Sequence, residues 1–192
     1  MPRRTDTRER VLRTAATLFQ TQGYHATGLN QVLAEGGAPK GSLYFHFPGG
    51  KEQLASEALE LSGGEMCGLI KAALDEAEAP EAAVGAVLQA LADALEASDF
   101  TAGCPVATVA LDAAGDSEAI RTACERVYAS WTDTIGDYLV GHGVSADRSA
   151  ALAVVLVASI EGGLLLAKTR RDVAPLHAVG AHLRLSIAEA VR

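Results

Sequence analysis

Apolar residues in this chain recur every three to four positions almost from end to end, and nowhere do they alternate with polar ones over the length of a strand. That spacing lays an apolar stripe along one face of a helix, whereas a half-buried strand needs a period of two. The pattern therefore predicts an all-α fold of about nine helices. The low aromatic content, 5%, and the abundance of alanine favour closely packed helices over sheets. With 192 residues, 49% of them hydrophobic, the chain has ample material for a core, and general disorder is excluded.

Glycine and proline divide the first fifty residues into three short helices. The first is predicted from about Thr5 to Gln22, with Val11, Ala15 and Leu18 in one row and Leu12, Ala16 and Phe19 in the next, and Gly23 ends it. The second runs from about Gly28 to Glu35, with Thr27 as its side-chain N-cap and Leu29, Val32 and Leu33 inward. After the tight connection Gly36-Gly37-Ala38, Pro39 suits the first position of a third helix ending at His46. Pro48-Gly49-Gly50 breaks the chain again.

From Lys51 the helices lengthen. Leu54, Ala58, Leu61, Met66, Leu69 and Ile70 mark a helix to about Ala77, with Gly63-Gly64 inside it. That pair either softens the helix or lets a neighbouring helix come close. Pro80 starts a helix with the stripe Val84, Leu88, Leu91 and Leu95, and Pro105 opens a short one through Leu111. Asp116 or Ser117 caps the next, whose face is Ile120, Cys124, Val127, Trp131 and Ile135. Asp147 to Lys168 and Pro175 to Val191 are the last two. The apolar run Ala150 to Ala167 approaches the length of a membrane span. Glu161, Ser159, Gly162-Gly163 and the many alanines argue against a span, so no membrane partner is expected. Together with Leu176, Val179, Leu183, Ile187 and Val191 of the final helix, this run offers more apolar surface than one bundle hides, which predicts a self-complementary homodimer interface.

Charge separates a head from a body. Residues 1 to 51 carry a net +4 and the remainder -12, giving the overall -8. A basic module on an acidic body fits a polyanion-binding domain over residues 1–50 joined to a larger domain over residues 51–192. Two short helices joined by a glycine-bearing turn form a helix-turn-helix, in which the second helix lies in the major groove of double-stranded DNA. Lys40 and Ser42 stand in its first turn, where side chains reach base edges, and Gly41 allows close approach. Thr27, Tyr44, His46 and Lys51 flank it with donors suited to phosphate oxygens. The candidate DNA-binding residues are Arg4, Thr27, Gly28, Pro39, Lys40, Gly41, Ser42, Tyr44, His46 and Lys51. Leu29, Val32, Leu43 and Phe47 are the expected buried face.

The run Lys40-Gly41-Ser42-Leu43-Tyr44-Phe45-His46-Phe47 resembles the recognition-helix signature of the TetR family of transcriptional regulators, and Lys51-Glu52-Gln53-Leu54 is similar to the start of that family's fourth helix. The likeness covers roughly the first sixty residues. Three positions depart from it: Pro39 stands where a hydroxyl residue is common, Ala38 replaces a bulkier aliphatic residue, and Pro48-Gly49-Gly50 is one residue longer than the usual link. With Gly103-Cys104-Pro105-Val106, that link is similar to the LmrA/YxaF-like branch, which is associated with regulators of drug-export or flavonoid-responsive genes. The resemblance implies a cytoplasmic homodimer that binds a palindromic operator, acts most often as a repressor, and is released by a small, mostly apolar inducer held in the larger domain.

The candidate inducer pocket takes apolar residues of the middle helices: Met66, Leu69, Ile70, Leu88, Leu91, Phe100, Cys104, Val109, Tyr128, Trp131 and Ile135, with Glu161 as an acid in the most apolar helix. Most such residues in any bundle are ordinary core. Tyr128 and Trp131 stand out because each joins a flat apolar face to a polar handle. Glu161 meets either a ligand or a structural partner. Cys67, Cys104 and Cys124 are too few for a disulfide framework, and no spacing of cysteine or histidine suggests a metal. No cofactor is expected. An enzyme is disfavoured, since there is no phosphate loop, nucleophile elbow or spaced acid pair. A protein-binding helical module is disfavoured by the basic head. The start of the chain is basic without the apolar stretch of a signal peptide, which predicts a reducing, cytoplasmic setting.

Overall fold

A computed structural model describes residues 4–191, with side chains from Asp6 onward, so the side chain of Arg4 lies outside the described residues. Among these residues the fold consists of nine α-helices and one turn of 3-10 helix, with no strand. They are α1 (Arg4–Gln22), α2 (Leu29–Glu35), the 3-10 turn Lys40–Ser42 running into α3 (Leu43–His46), α4 (Gly50–Glu76), α5 (Pro80–Ala97), α6 (Pro105–Ala113), α7 (Glu118–Gly141), α8 (Ala146–Arg170) and α9 (Ala174–Ala190). The all-α expectation holds.

Local chemistry sets the boundaries. Gly23, at φ +84, turns the chain out of α1. Pro80, Pro105 and Pro175 stand in the first turns of α5, α6 and α9, where a missing N–H leaves no bond unmade. Ser117 supplies the cap of α7, its hydroxyl accepting from the Ile120 N–H at 3.3 Å. Two local expectations are corrected. Thr27 does not cap α2: Gly28 takes that position, and the Thr27 hydroxyl donates instead to the Gly23 carbonyl at 2.7 Å. Pro39 precedes the third helix at ψ 142, and the helix begins as a 3-10 turn because the Ser42 N–H and hydroxyl both bond the Pro39 carbonyl.

The chain divides into two compact units. The first comprises the described residues up to Gly64 together with Cys104–Val127; the second comprises Glu65–Gly103 and the residues from Tyr128 onward. In the first unit, Val11, Ala15 and Phe19 of α1, Val32 and Leu33 of α2, Leu43, Phe47, and Leu54 and Ala58 of α4 are buried. α6 packs on α1 and contributes Val106 and Val109 to the same interior. In the second unit, α9 packs against α5 and α8. Leu139, Val144, Leu156, Leu183 and Ile187 form a core flanked by Ile135, Tyr138 and Leu152. Close approach in this unit depends on small residues: a Cβ on Gly180 would meet Leu88 Cδ1 at 2.9 Å.

α8 is long and apolar enough, by length and composition, to cross a membrane. One of its faces is packed, with Ala153, Leu156, Gly163, Leu164 and Ala167 buried. The opposite face leaves Val154, Val155, Leu165 and Leu166 exposed, and Leu185 of α9 is exposed as well.

The two glycines inside α4 have different surroundings. A Cβ on Gly63 would stand 2.3 Å from Val127 Cγ1, so its absence allows α4 and α7 to touch inside the first unit. Gly64 is exposed and a Cβ there would meet nothing within 4 Å. Gly63→Ala is therefore expected to destabilise the protein by about 1–3 kcal/mol through overpacking. Gly64→Ala is expected to stabilise it by about 0.8–1 kcal/mol through helix propensity. Urea unfolding of both variants checks this, and effects of the same sign would contradict it.

Candidate nucleic-acid interface

The helix at Leu43–His46 has a single turn, too short to persist unaided. Its inward side chains, Leu43 and Phe47, are four apart and buried, so positions 44 and 45 must face out. Tyr44 is 66% exposed and Phe45 62%, two large aromatic surfaces on a helix of four residues. The ring of Phe45 meets His46 edge-on, with centroids 4.9 Å apart. Tyr44 Cε1 lies 3.5 Å from where a Cβ on Gly50 would be, so the tyrosine ring rests over the start of α4, and Gly50 itself sits at φ +66. Just before this helix Pro39, Lys40 and Gly41 are exposed. A Cβ on Gly41 would meet nothing within 4 Å. The fold does not require glycine at that position, and the space above it is open to a partner.

A polar chain fixes the exit of this helix. The Gly49 N–H donates to Gln53 Oε1 at 2.8 Å, and Gln53 Nε2 donates to Glu57 Oε1 at 2.9 Å. Glu57 Oε2 pairs with the Arg8 guanidinium, which also lies 4.8 Å from the centroid of the Phe47 ring. Arg10 Nε donates to the Gly36 carbonyl at 3.3 Å, tying α1 to the turn between the two short helices. Arg8 and Arg10 thus hold the motif together from within the basic head.

Lys51 is half-buried, its ammonium 4.5 Å above the centroid of the Tyr24 ring. Burial holds its pKa below the usual lysine range, and the nearby Asp112 carboxylate opposes that fall. Burial, with a smaller contribution from Glu52, raises the Tyr24 phenol.

The expected DNA-facing residues thus divide. Pro39, Lys40, Gly41 and Tyr44 are brought together on one exposed surface, with Gly28 exposed at the head of α2. Ser42, His46 and Lys51 are half-buried, the Ser42 hydroxyl donating to the Pro39 carbonyl at 2.7 Å. Thr27 does not reach the surface: it is fully buried, because its hydroxyl closes the bend after α1. Two residues escaped the sequence reading. Phe45 was legible, since inward positions 43 and 47 force position 45 outward. Arg8 was not, because its role depends on Glu57, 49 positions away.

The candidate inducer residues are divided between the two units. Cys104 and Val109 are buried in the first unit, the others belonging to the second. Cys104 Sγ accepts from the Ala107 N–H at 3.5 Å, a capping role at the start of α6. Val109 lines a half-open hollow of about 10 Å³ with Phe19, Leu59 and Pro105. In the second unit, Ile70, Leu88 and Trp131 are buried, and Met66, Leu91, Phe100, Tyr128, Ile135 and Glu161 are half-buried. Leu69 points outward, 61% exposed. Tyr128 and Trp131 meet edge to face, with centroids 5.3 Å apart.

Residues 11–58 match the family described as bacterial regulatory proteins, tetR family. Residues 80–182 match the transcriptional regulator LmrA/YxaF-like C-terminal domain. The chain is 41% identical to the uncharacterized HTH-type transcriptional regulator YxaF of Bacillus subtilis, over 92% of each protein. It is 40% identical to the HTH-type transcriptional regulator LmrA of the same organism, over 89% of this chain and 91% of that protein. Among solved structures, a TetR transcriptional regulator from Legionella pneumophila shares the fold, with a TM-score of 0.83 at 20% identity, covering 97% of this chain and 98% of that one. The TetR-family regulator CifR, in a cysteine-substituted form complexed with 26-base-pair double-strand operator DNA, aligns with a TM-score of 0.77 at 24% identity, covering 92% and 94%.

Proposed function

The chain belongs to the TetR family of DNA-binding transcriptional regulators, with an LmrA/YxaF-like C-terminal domain, and on that premise we propose that it is a cytoplasmic repressor that binds a palindromic operator as a homodimer and is released by a small, mostly apolar inducer. In this reading residues 1–50 form the DNA-binding domain and residues 51–192 hold the inducer and the partner subunit. The chain acts by binding and carries out no catalysis. The observation that carries the DNA site is the exposed surface made by Lys40, Gly41 and Tyr44 on a helix whose other face is locked into the core.

Roles on that surface follow from chemistry. Lys40 meets a phosphate or a guanine edge in the major groove. Gly41 admits the duplex closely. Tyr44 and Lys51 donate to phosphate oxygens, which positions the protein without reading sequence. Pro39, Ser42, His46 and Gly28 border the contact, and Arg4 adds basic charge at the start of α1. Phe45, apolar and exposed, suits contact with a thymine methyl group. The Tyr128–Trp131 pair in the second unit is the best aromatic wall for an inducer, and as the single tryptophan Trp131 reports binding there by its fluorescence.

The dimer is read from α8. Val154, Val155, Leu165 and Leu166 lie at helical spacing on an exposed face, with the exposed small residues Ala151, Ala158 and Gly162 on the same face. Such a face suits close packing against its own copy about a two-fold axis.

Fluorescence anisotropy against duplexes tiled across the promoter of the chain's own gene tests the reading. A saturable complex on one tile, two protomers per site and weakened by salt, is the expected result. Lys40→Ala is expected to reduce the salt slope by about one if it meets a phosphate, or to relax preference at one position if it reads a base. Tyr44→Phe is expected to weaken all duplexes alike. A complex indifferent to salt, or to both substitutions, contradicts the assignment. In sedimentation, Leu165→Glu is expected to convert a dimer to a monomer with helical content intact; an unchanged dimer places the interface elsewhere.

A further inference from the structure

The bend that follows α1 is held from far along the chain. Asp112, half-buried in the last turn of α6, accepts the His25 backbone N–H at 2.7 Å across 87 positions. The same oxygen lies 3.0 Å from the place a Cβ on Gly23 would occupy, so the carboxylate seats directly against the bend. Asp116 Oδ2 comes within 3.9 Å of the His25 Nε2. A carboxylate in the last turn of a helix faces the negative end of the helix dipole, an unfavourable place that a donated N–H offsets. α6 has no basic residue in that turn to do so.

The bend carries more than His25. Tyr24 within it packs on Phe19, with ring centroids 5.9 Å apart, meets the His25 ring edge-on at 5.2 Å, and lies beneath the Lys51 ammonium. Asp112 also acts on Lys51 through its charge. Thr27 closes the bend internally through its bond to the Gly23 carbonyl. All these residues lie in the first unit, and α6 is the segment by which the chain returns there after residues 65–103 of the second.

We propose that Asp112 is a positioning residue for DNA binding: its carboxylate clamps the bend at His25 and, through Tyr24, sets where Lys51 presents its ammonium to the phosphate backbone. The proposal rests on the reading of Lys51 as a phosphate donor. Asp112 itself touches no nucleic acid in it. Asparagine at this position keeps an oxygen acceptor, whereas alanine removes it, so the pair of variants separates the hydrogen bond from the charge.

The test uses the full chain as Asp112→Ala, Asp112→Asn, Lys51→Ala and the Asp112→Ala/Lys51→Ala double variant, with folding checked by circular dichroism. In DNA-free protein, hydrogen exchange at the His25 amide is expected to quicken about tenfold in Asp112→Ala, the loss of one hydrogen bond, and to stay near wild type in Asp112→Asn. On the tightest promoter tile, Asp112→Ala is expected to lose about five- to tenfold in affinity and about one unit of salt slope. Asp112→Asn should remain within about twofold, and the double variant should bind no more weakly than Lys51→Ala alone. Wild-type affinity in Asp112→Ala overturns the proposal, and so does a double variant whose loss is the product of the two single losses. A wild-type chain that binds no tile overturns the DNA-contact reading and this proposal together, whereas normal wild-type binding with an unaffected Asp112→Ala overturns this proposal alone.

Discussion

The proposed DNA-facing surface depends on the burial of Leu43 and Phe47. A helical turn of four residues has no stability of its own, since helices shorter than about 12–15 residues are marginal in water. Leu43 is 2% exposed and Phe47 fully buried, and burying such side chains is worth about 1.5–3 kcal/mol each. They drive the turn onto the first unit and thereby force Tyr44 and Phe45 outward. Everything read at the surface is a consequence of which residues are taken inside. The Gln53–Glu57–Arg8 chain then fixes the direction in which the helix leaves, and α6 secures the bend on the other side through Asp112.

Most of the fold was legible because its signals are local. Helical periodicity, glycine at φ +84 after α1 and proline in the first turns of α5, α6 and α9 each act within a few residues. The inward face of the motif was legible for the same reason: of the expected Leu29, Val32, Leu43 and Phe47 the last three are buried, and Leu29, in the first turn of α2, is half-buried. Thr27 was misread at the same scale. A threonine before a helix resembles a cap, but here a glycine four positions earlier offers its carbonyl and the hydroxyl turns inward to meet it. Local sequence does not rank the hydroxyl's accepting from a helix N–H against its donating to a nearby carbonyl.

Long-range partnerships were not legible at all. Nothing near Arg8 points to Glu57, and nothing near Asp112 points to His25. The inducer candidates show the same limit in another form. A stripe of apolar residues specifies that a face is covered, not whether protein or ligand covers it. Cys104 and Val109 proved to be core and cap of the first unit, while Leu69 faces outward. α8 was expected to be covered on all sides by its bundle and a partner together. Within one chain it is covered on one face, and the residual stripe is the surface from which the dimer is argued.

In the proposed complex the outward face of the Lys40–His46 segment lies in the major groove, once per subunit of a symmetric pair. Dimethyl sulfate probing of the bound duplex tests this directly, because it methylates guanine N7 in the major groove and adenine N3 in the minor groove. Guanine protection is expected in two segments related by a dyad and about 34–36 Å apart along one face of the duplex. Protection confined to adenine N3, or a single unpaired segment, would contradict it.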